Sequence, residues 1–99
     1  MEKVALWVIL QAKAGKENEL AEFLKSAVPL VNAEPDTISW FALQTGPSTF
    51  GIFDTFPADA GRQAHLNGKV AAALMAKAPE LLSAPPSIEK VDLLAVTRK

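Results

Sequence analysis

The first strand-like segment of the chain is apolar on both of its faces. Val4, Leu6, Val8 and Leu10 alternate with Ala5, Trp7 and Ile9, a period of two that fits an extended strand. A strand with one face in water shows polar residues at every second position, so this segment calls for cover on two sides. Later segments repeat the pattern: Phe50, Ile52 and Phe56 oppose Phe53, and Leu94 and Val96 oppose Val91, Leu93 and Ala95. The 99 residues suffice for one domain, which can cover one side of a sheet with its own helices. The second cover is most cheaply another copy of the same face. At about 25 cal/mol per Å2, a few hundred Å2 of apolar surface left in water would forgo several kcal/mol, comparable with a small domain's whole stability. The chain is therefore expected to be a homodimer joined through its sheet faces. The alternative is a monomer with a few apolar residues in water.

The remaining periodicities set the order of elements. Gly15 interrupts the first strand, and Leu20, Phe23, Leu24, Ala27 and Val31 then recur at helical spacing, with Lys16, Glu17, Glu19, Glu22 and Lys25 on the wet side. Pro29 should kink that helix near its end, and Glu34-Pro35-Asp36 closes it. Two β-rich runs, Thr37 to Thr45 and Thr49 to Phe56, flank Gly46-Pro47-Ser48, a hairpin signal. Pro57 suits the first turn of a second helix, with Asp59 near its positive end. The spacing predicts that this helix runs to about Lys77, with Leu66, Val70 and Leu74 on one stripe. Gly68 in its middle costs about 1 kcal/mol relative to Ala, which points to a close contact there. Pro79, Pro85 and Pro86 bound a short irregular segment, and Ile88 to Thr97 reads as the last strand. The order β-α-β-β-α-β predicts a single ferredoxin-like α+β domain over residues 1–99, built on an antiparallel sheet.

Composition removes several function classes. A net charge of −1 builds no positive field for a phosphate backbone or an anionic membrane, so neither nucleic acid nor a membrane is expected as partner. The RNA-recognition fold has the same element order, and Phe50-Gly51-Ile52-Phe53 resembles its aromatic third strand. That motif needs a basic residue and Gly ahead of the aromatics, where this chain has Ser48 and Thr49. There is no cysteine, hence no disulfide, thiolate nucleophile or cysteine metal site. One histidine and scattered carboxylates lack metal-ligand spacing, and no phosphate-binding loop or G-x-S-x-G is present. No metal and no cofactor are expected. Met1-Glu2-Lys3 leads straight into a strand pattern without a secretory h-region, and no run approaches 18 apolar residues. A cytoplasmic location is the expectation by elimination.

The residues able to carry chemistry are few. His65 is the only side chain whose ordinary pKa lies near neutrality. Beside the Leu66, Val70 and Leu74 stripe it should face the helix–sheet crevice, where it could act catalytically by deprotonating or orienting a phenolic substrate. It could equally be a partly buried histidine bonded to backbone. With a three-residue hairpin loop, Trp40 falls opposite Asp54, on one face with Ile38, Ala42, Gln44, Phe50, Ile52 and Phe56. A carboxylate on such a face needs a partner, and Arg62 and His65, three apart on one helix, are the candidates. Trp40, Asp54, Arg62 and Phe50 would then form a substrate-binding pocket for a small aromatic ligand, an aromatic wall with one polar cluster. The alternative is a structural ion pair with Trp40 filling the core. Trp7 reads better as core or interface.

Three short stretches resemble the antibiotic biosynthesis monooxygenase superfamily: Ala12-Lys13-Ala14-Gly15-Lys16-Glu17, Ala33-Glu34-Pro35-Asp36-Thr37, and Phe53-Asp54-Thr55-Phe56 followed by Ala64-His65-Leu66. The resemblance spans essentially the whole chain and implies a dimeric α+β barrel. Members similar to it oxidise phenols or quinols with O2 and without metal or flavin, while others degrade haem. The haem-degrading branch carries an Asn on strand one and a Trp near the end of strand three. Here Lys3 to Gln11 has no Asn, and Asp54-Thr55-Phe56 has no Trp. The second histidine frequent in quinol-oxidising members is replaced by Val70. The resemblance thus implies a cofactor-independent monooxygenase acting on a small aromatic or quinol-type substrate, with His65 as the surviving site residue. The departures leave open a dimeric binding or structural protein that has kept the fold without the chemistry.

Overall fold

The structure, a computed structural model, describes residues 1–99. Its sheet is antiparallel, in the order β2-β3-β1-β4, from β1 (Val4–Gln11), β2 (Ser39–Gln44), β3 (Thr49–Phe56) and β4 (Ser87–Asp92). The two central strands are those with the densest apolar alternation, since only a strand paired on both sides can bury both neighbours' contacts. Register pairs Leu6 with Asp54, Val8 with Ile52 and Leu10 with Phe50, which puts these six side chains on one face. Four helices cover that face: α1 (Glu17–Ser26), α2 (Val28–Asn32), α3 (Asp59–Leu66) and α4 (Lys69–Leu81). Leu20 and Leu24 of α1 and Leu74 and Leu81 of α4 close over Val8, Leu10, Phe50 and Ile52 to form the main core. A smaller cluster of Ala27, Val31 and Val70 packs against Trp40. The architecture is the ferredoxin-like α+β fold expected from the order of patterns.

Where the structure departs from the sequence expectation, backbone accounting explains it. Pro29 falls in the first turn of α2, and the helical run is divided at Ala27, as a proline there requires. The second helix is not continuous to Lys77: it breaks at Asn67–Gly68, and Gly68 is the extended N-cap of α4. Helix α4 then passes through Pro79 to Leu81. The carbonyl that Pro79 leaves unpaired belongs to exposed Met75, and the Lys13 ammonium donates 2.6 Å to the Pro79 carbonyl in the last turn. Strand β4 ends at Asp92 instead of Thr97 because its partner β1 begins at Val4, opposite Asp92. Only Leu93 N–H to Lys3 O continues the pairing. Beyond it Leu94 stands 98% exposed, and Arg98 pairs with Glu2.

The second face of the sheet carries no helix. Trp7, Phe53 and Phe41 form one row across β1, β3 and β2, and Ile9, Gly51 and Leu43 form the next. Phe41 is 52% exposed. The Trp7 indole lies across Gly51, where a Cβ would come within 2.6 Å of ring atom Cη2, so residue 51 must be glycine for the ring to lie flat there. On β4 this face is polar at Ser87 and Glu89, beside Ile9 and Trp7, and apolar only at Val91, beside Ala5. No helix is long and apolar enough to cross a membrane.

Candidate functional site

Pro57 lies between β3 and N-cap Ala58, outside the first turn expected for it, and helix α3, starting at Asp59, carries two buried cationic side chains one turn apart, Arg62 and His65. They go to different places. Arg62 Nε and Nη2 donate to Asp59 Oδ1 at 3.0 and 2.8 Å, and Nη1 donates to the carbonyls of Ala5 at 3.2 Å and Val91 at 3.3 Å. The guanidinium thus bridges α3 to β1 and β4. Of the two partners the sequence offered Asp54, Arg62 does not pair with it, because the backbone oxygens and Asp59 already engage its donors.

His65 reaches Asp54 instead. Its Nε2 lies 2.9 Å from Asp54 Oδ2, ion-pair range, though outside the direction of a well-formed N–H···O bond. The other nitrogen, Nδ1, donates to Glu34 Oε1 at 2.6 Å. Glu34 comes from the turn between α2 and β2, and Thr37 Oγ1 donates to the same oxygen at 2.6 Å. The Phe56 ring sits 5.4 Å from the imidazole centroid, tilted by 46°. Asp54 is 1% exposed, His65 8% and Glu34 17%, so one ring pins a loop, a strand and a helix together out of water. Burial pulls the His65 pKa down, but the Asp54 and Glu34 carboxylates outweigh it and hold the ring above its usual 6.5. Glu34 Oε2, Asp54 Oδ1 and Trp40 Nε1 are buried without a hydrogen-bond partner, an unusual concentration of spare polar capacity in so small a region.

A cleft of about 240 Å3 opens over this cluster. Leu30, Ala33 and Ala64 give it apolar walls, Glu34 and His65 lie at its polar end, and Asp36 and Lys69 also line it. Two glycines shape it. A Cβ at Gly61 would come 2.8 Å from Asp36 Cβ, and one at Gly68 would sit 3.3 Å from Glu34 Oε2. A second cavity of about 190 Å3 lies on the other side of Glu34 and Thr37, bounded by Val31, Ile38 and Trp40.

Of the residues singled out in sequence, His65 lines the cleft and Asp54 holds it from beneath. Trp40 stands opposite Asp54, as the hairpin register implied, and borders the second cavity. Arg62 lies outside both cavities, and Phe50 is in the main core, 3% exposed, opposite Leu10. Sequence reasoning missed Glu34 as a site residue. It lies 31 positions from its histidine, and a carboxylate in a turn carries no periodic signal.

Comparison with known proteins gives a consistent fold and a sparse functional record. No family model and no curated protein matches the chain. Among solved structures, a protein of unknown function from Nitrosomonas europaea is 64% identical over 100% of this chain and 96% of its own, with TM-score 0.97. A provisionally named antibiotic biosynthesis monooxygenase from Nitrosomonas europaea is 15% identical, covering 98% and 95%, with TM-score 0.85. Another from Caulobacter crescentus is 14% identical, covering 95% and 92%, with TM-score 0.81.

Proposed function

Since the chain belongs to one family with the 64%-identical Nitrosomonas europaea protein and has the fold of the antibiotic biosynthesis monooxygenase superfamily, we propose that it oxidises a small quinol-type aromatic with O2. The observation that carries this reading is the buried Glu34–His65–Asp54 cluster at the end of an apolar-walled cleft. A phenolic hydroxyl placed against the cluster can lose its electron to O2 and its proton to a carboxylate together. The oxidised phenol is far more acidic than the phenol, so a base of ordinary strength suffices. The phenoxyl and superoxide radicals then join at a ring carbon bearing hydrogen. The cluster returns the proton to give a hydroperoxide, and loss of water leaves a quinone. The protein's part is orientation, exclusion of water and custody of one proton.

Oxygen uptake with a panel of one- and two-ring quinols tests this, comparing the parent protein with His65→Ala and Trp40→Phe. Uptake that exceeds the protein-free rate and falls in His65→Ala is expected. No uptake above blank with any quinol removes the oxygenase. A second reading, a binding protein without turnover, is favoured by one observation: both ring nitrogens of His65 are already engaged by carboxylates. Thermal stabilisation by small phenols without oxygen consumption would select it.

The proposal includes a homodimer joined through the bare sheet face. The rows Trp7–Phe53–Phe41 and Ile9–Gly51–Leu43 support it, because apolar side chains left in water forgo about 25 cal/mol per Å2. Sedimentation at micromolar concentration should give twice the chain mass, and a folded particle of single-chain mass would refute it.

A further inference from the structure

We propose that Glu34, not His65, recognises the ligand of this cleft, accepting at Oε2 a hydrogen bond from the hydroxyl of a neutral, one-ring phenol. His65 is then a positioning residue. The inference rests on reading the cleft as a site for a small phenolic molecule, and adds which atom meets it and which charge state is taken.

Each ring nitrogen of His65 faces a carboxylate oxygen, at 2.6 and 2.9 Å. A bare nitrogen lone pair against a carboxylate at such distances is repulsive, so each ring nitrogen carries a proton, Nδ1 in a hydrogen bond to Glu34 and Nε2 in a looser ion pair with Asp54, and the ring is an imidazolium between two carboxylates. The upward push on its pKa by Asp54 and Glu34, against the opposing effect of burial, agrees. Such a ring has no lone pair to offer a substrate. Glu34 Oε1 is occupied by His65 and Thr37, whereas Oε2 has no partner. Asp54 Oδ1 is also unpartnered, but Asp54 is 1% exposed and does not line the cleft. Glu34 does, and since its free oxygen is closed to water beside Gly68, it meets the ligand by turning toward the cleft.

Charge and size then define the ligand. Glu34 from the α2–β2 turn, Asp54 from β3 and His65 from α3 sum to −1, and Asp36 and Lys69 at the rim cancel. A phenolate, carboxylate or phosphate is repelled by this cluster, and a neutral hydroxyl donor is drawn to it. The volume of about 240 Å3 lies between the ~150 Å3 that holds one benzene and the ~300 Å3 where sites for larger ligands begin. One ring with its substituents fits.

The probe is 4-nitrophenol, whose neutral and ionised forms absorb at different wavelengths. Bound to the parent protein it should stay neutral, with its ionisation midpoint raised by about one pH unit or more over the free probe. In Glu34→Gln most of that shift should vanish and affinity should fall about tenfold, the loss of one hydrogen bond to a charged group. A probe that binds as the phenolate, or shifts equally in Glu34→Gln, overturns the role of Glu34 while leaving the cleft as a site. No binding at all overturns the cleft reading and this inference with it. Ring-nitrogen NMR needs no variant, because His65 is the only histidine. At pH 5.5, below the ordinary histidine value, both nitrogens should be protonated and should stay so as pH rises past 6.5, and a bare nitrogen already at pH 5.5 would return the acceptor role to His65.

Discussion

Arg62 and His65 lie three residues apart on the same helix, both buried and both reaching towards the sheet, yet they meet opposite surroundings. Arg62 spends its donors on two main-chain carbonyls and on Asp59, whose side chain is 59% exposed to water. Nothing around it is left wanting a partner. His65 is flanked by two carboxylates that each keep an oxygen free. A buried polar group whose partners are saturated holds the fold together. One whose partners retain capacity marks a place where something else can bind, because the cost of leaving a shielded charge unsatisfied is of order 1–3 kcal/mol or more.

Substitutions can break this contrast. His65→Ala should have the largest effect, lowering unfolding free energy by about 3–5 kcal/mol in a denaturant titration, since it strands two buried carboxylates. Arg62→Met keeps the stem and removes the charge, uncovering the carbonyls of Ala5 and Val91. A loss of about 2–3 kcal/mol with unchanged 4-nitrophenol binding is expected. If Arg62→Met abolished binding of the probe, the division between structural and functional cation would collapse.

A smaller effect follows from pH. The folded pKa of His65 lies above 6.5, so the native state holds a proton that the unfolded chain has lost. That stabilisation is complete below about pH 6.5 and drains away as pH rises through the folded value. Denaturation midpoints measured from pH 5.5 to 9 should decline over that window in the parent protein and stay flatter in His65→Gln. Asp59→Asn should do least. Its carboxyl is held below the usual range chiefly by the Arg62 hydrogen bond, but the group is in water, and a midpoint within the scatter of surface substitutions is expected.

Much of the fold was legible because it is written in local periodicity. The alternation in Val4–Leu10 and Thr49–Phe56 identified the central strands, and the three-residue turn at Gly46 gave the register that sets Trp40 against Asp54. The helix break at Gly68 was legible only as a cost, since the glycine's reason is a crowd of oxygens from Ala64, His65 and Glu34 that no pattern reveals. The end of β4 depended on where another strand begins. Half of the site could be argued from an awkward residue: Asp54 on an apolar face had to find a cation nearby, and His65 was one of two on offer. Which of the two it was, and that Glu34 would take the ring's other side, depends on the third dimension alone.

The placement of the two tryptophans has a practical consequence. The chain has no tyrosine, so excitation at the long-wavelength edge, beyond phenylalanine absorption, draws emission from Trp7 and Trp40 alone. One indole lies flat on the uncovered sheet over Gly51, and the other stands beside Asp54 at the rear cavity. Trp7→Phe leaves a fluorophore that senses events near the histidine, and Trp40→Phe leaves one that senses whether two sheets have met. The two indoles thus offer separate optical tests of the proposed occupancy and the proposed assembly, readable in a cuvette without any label.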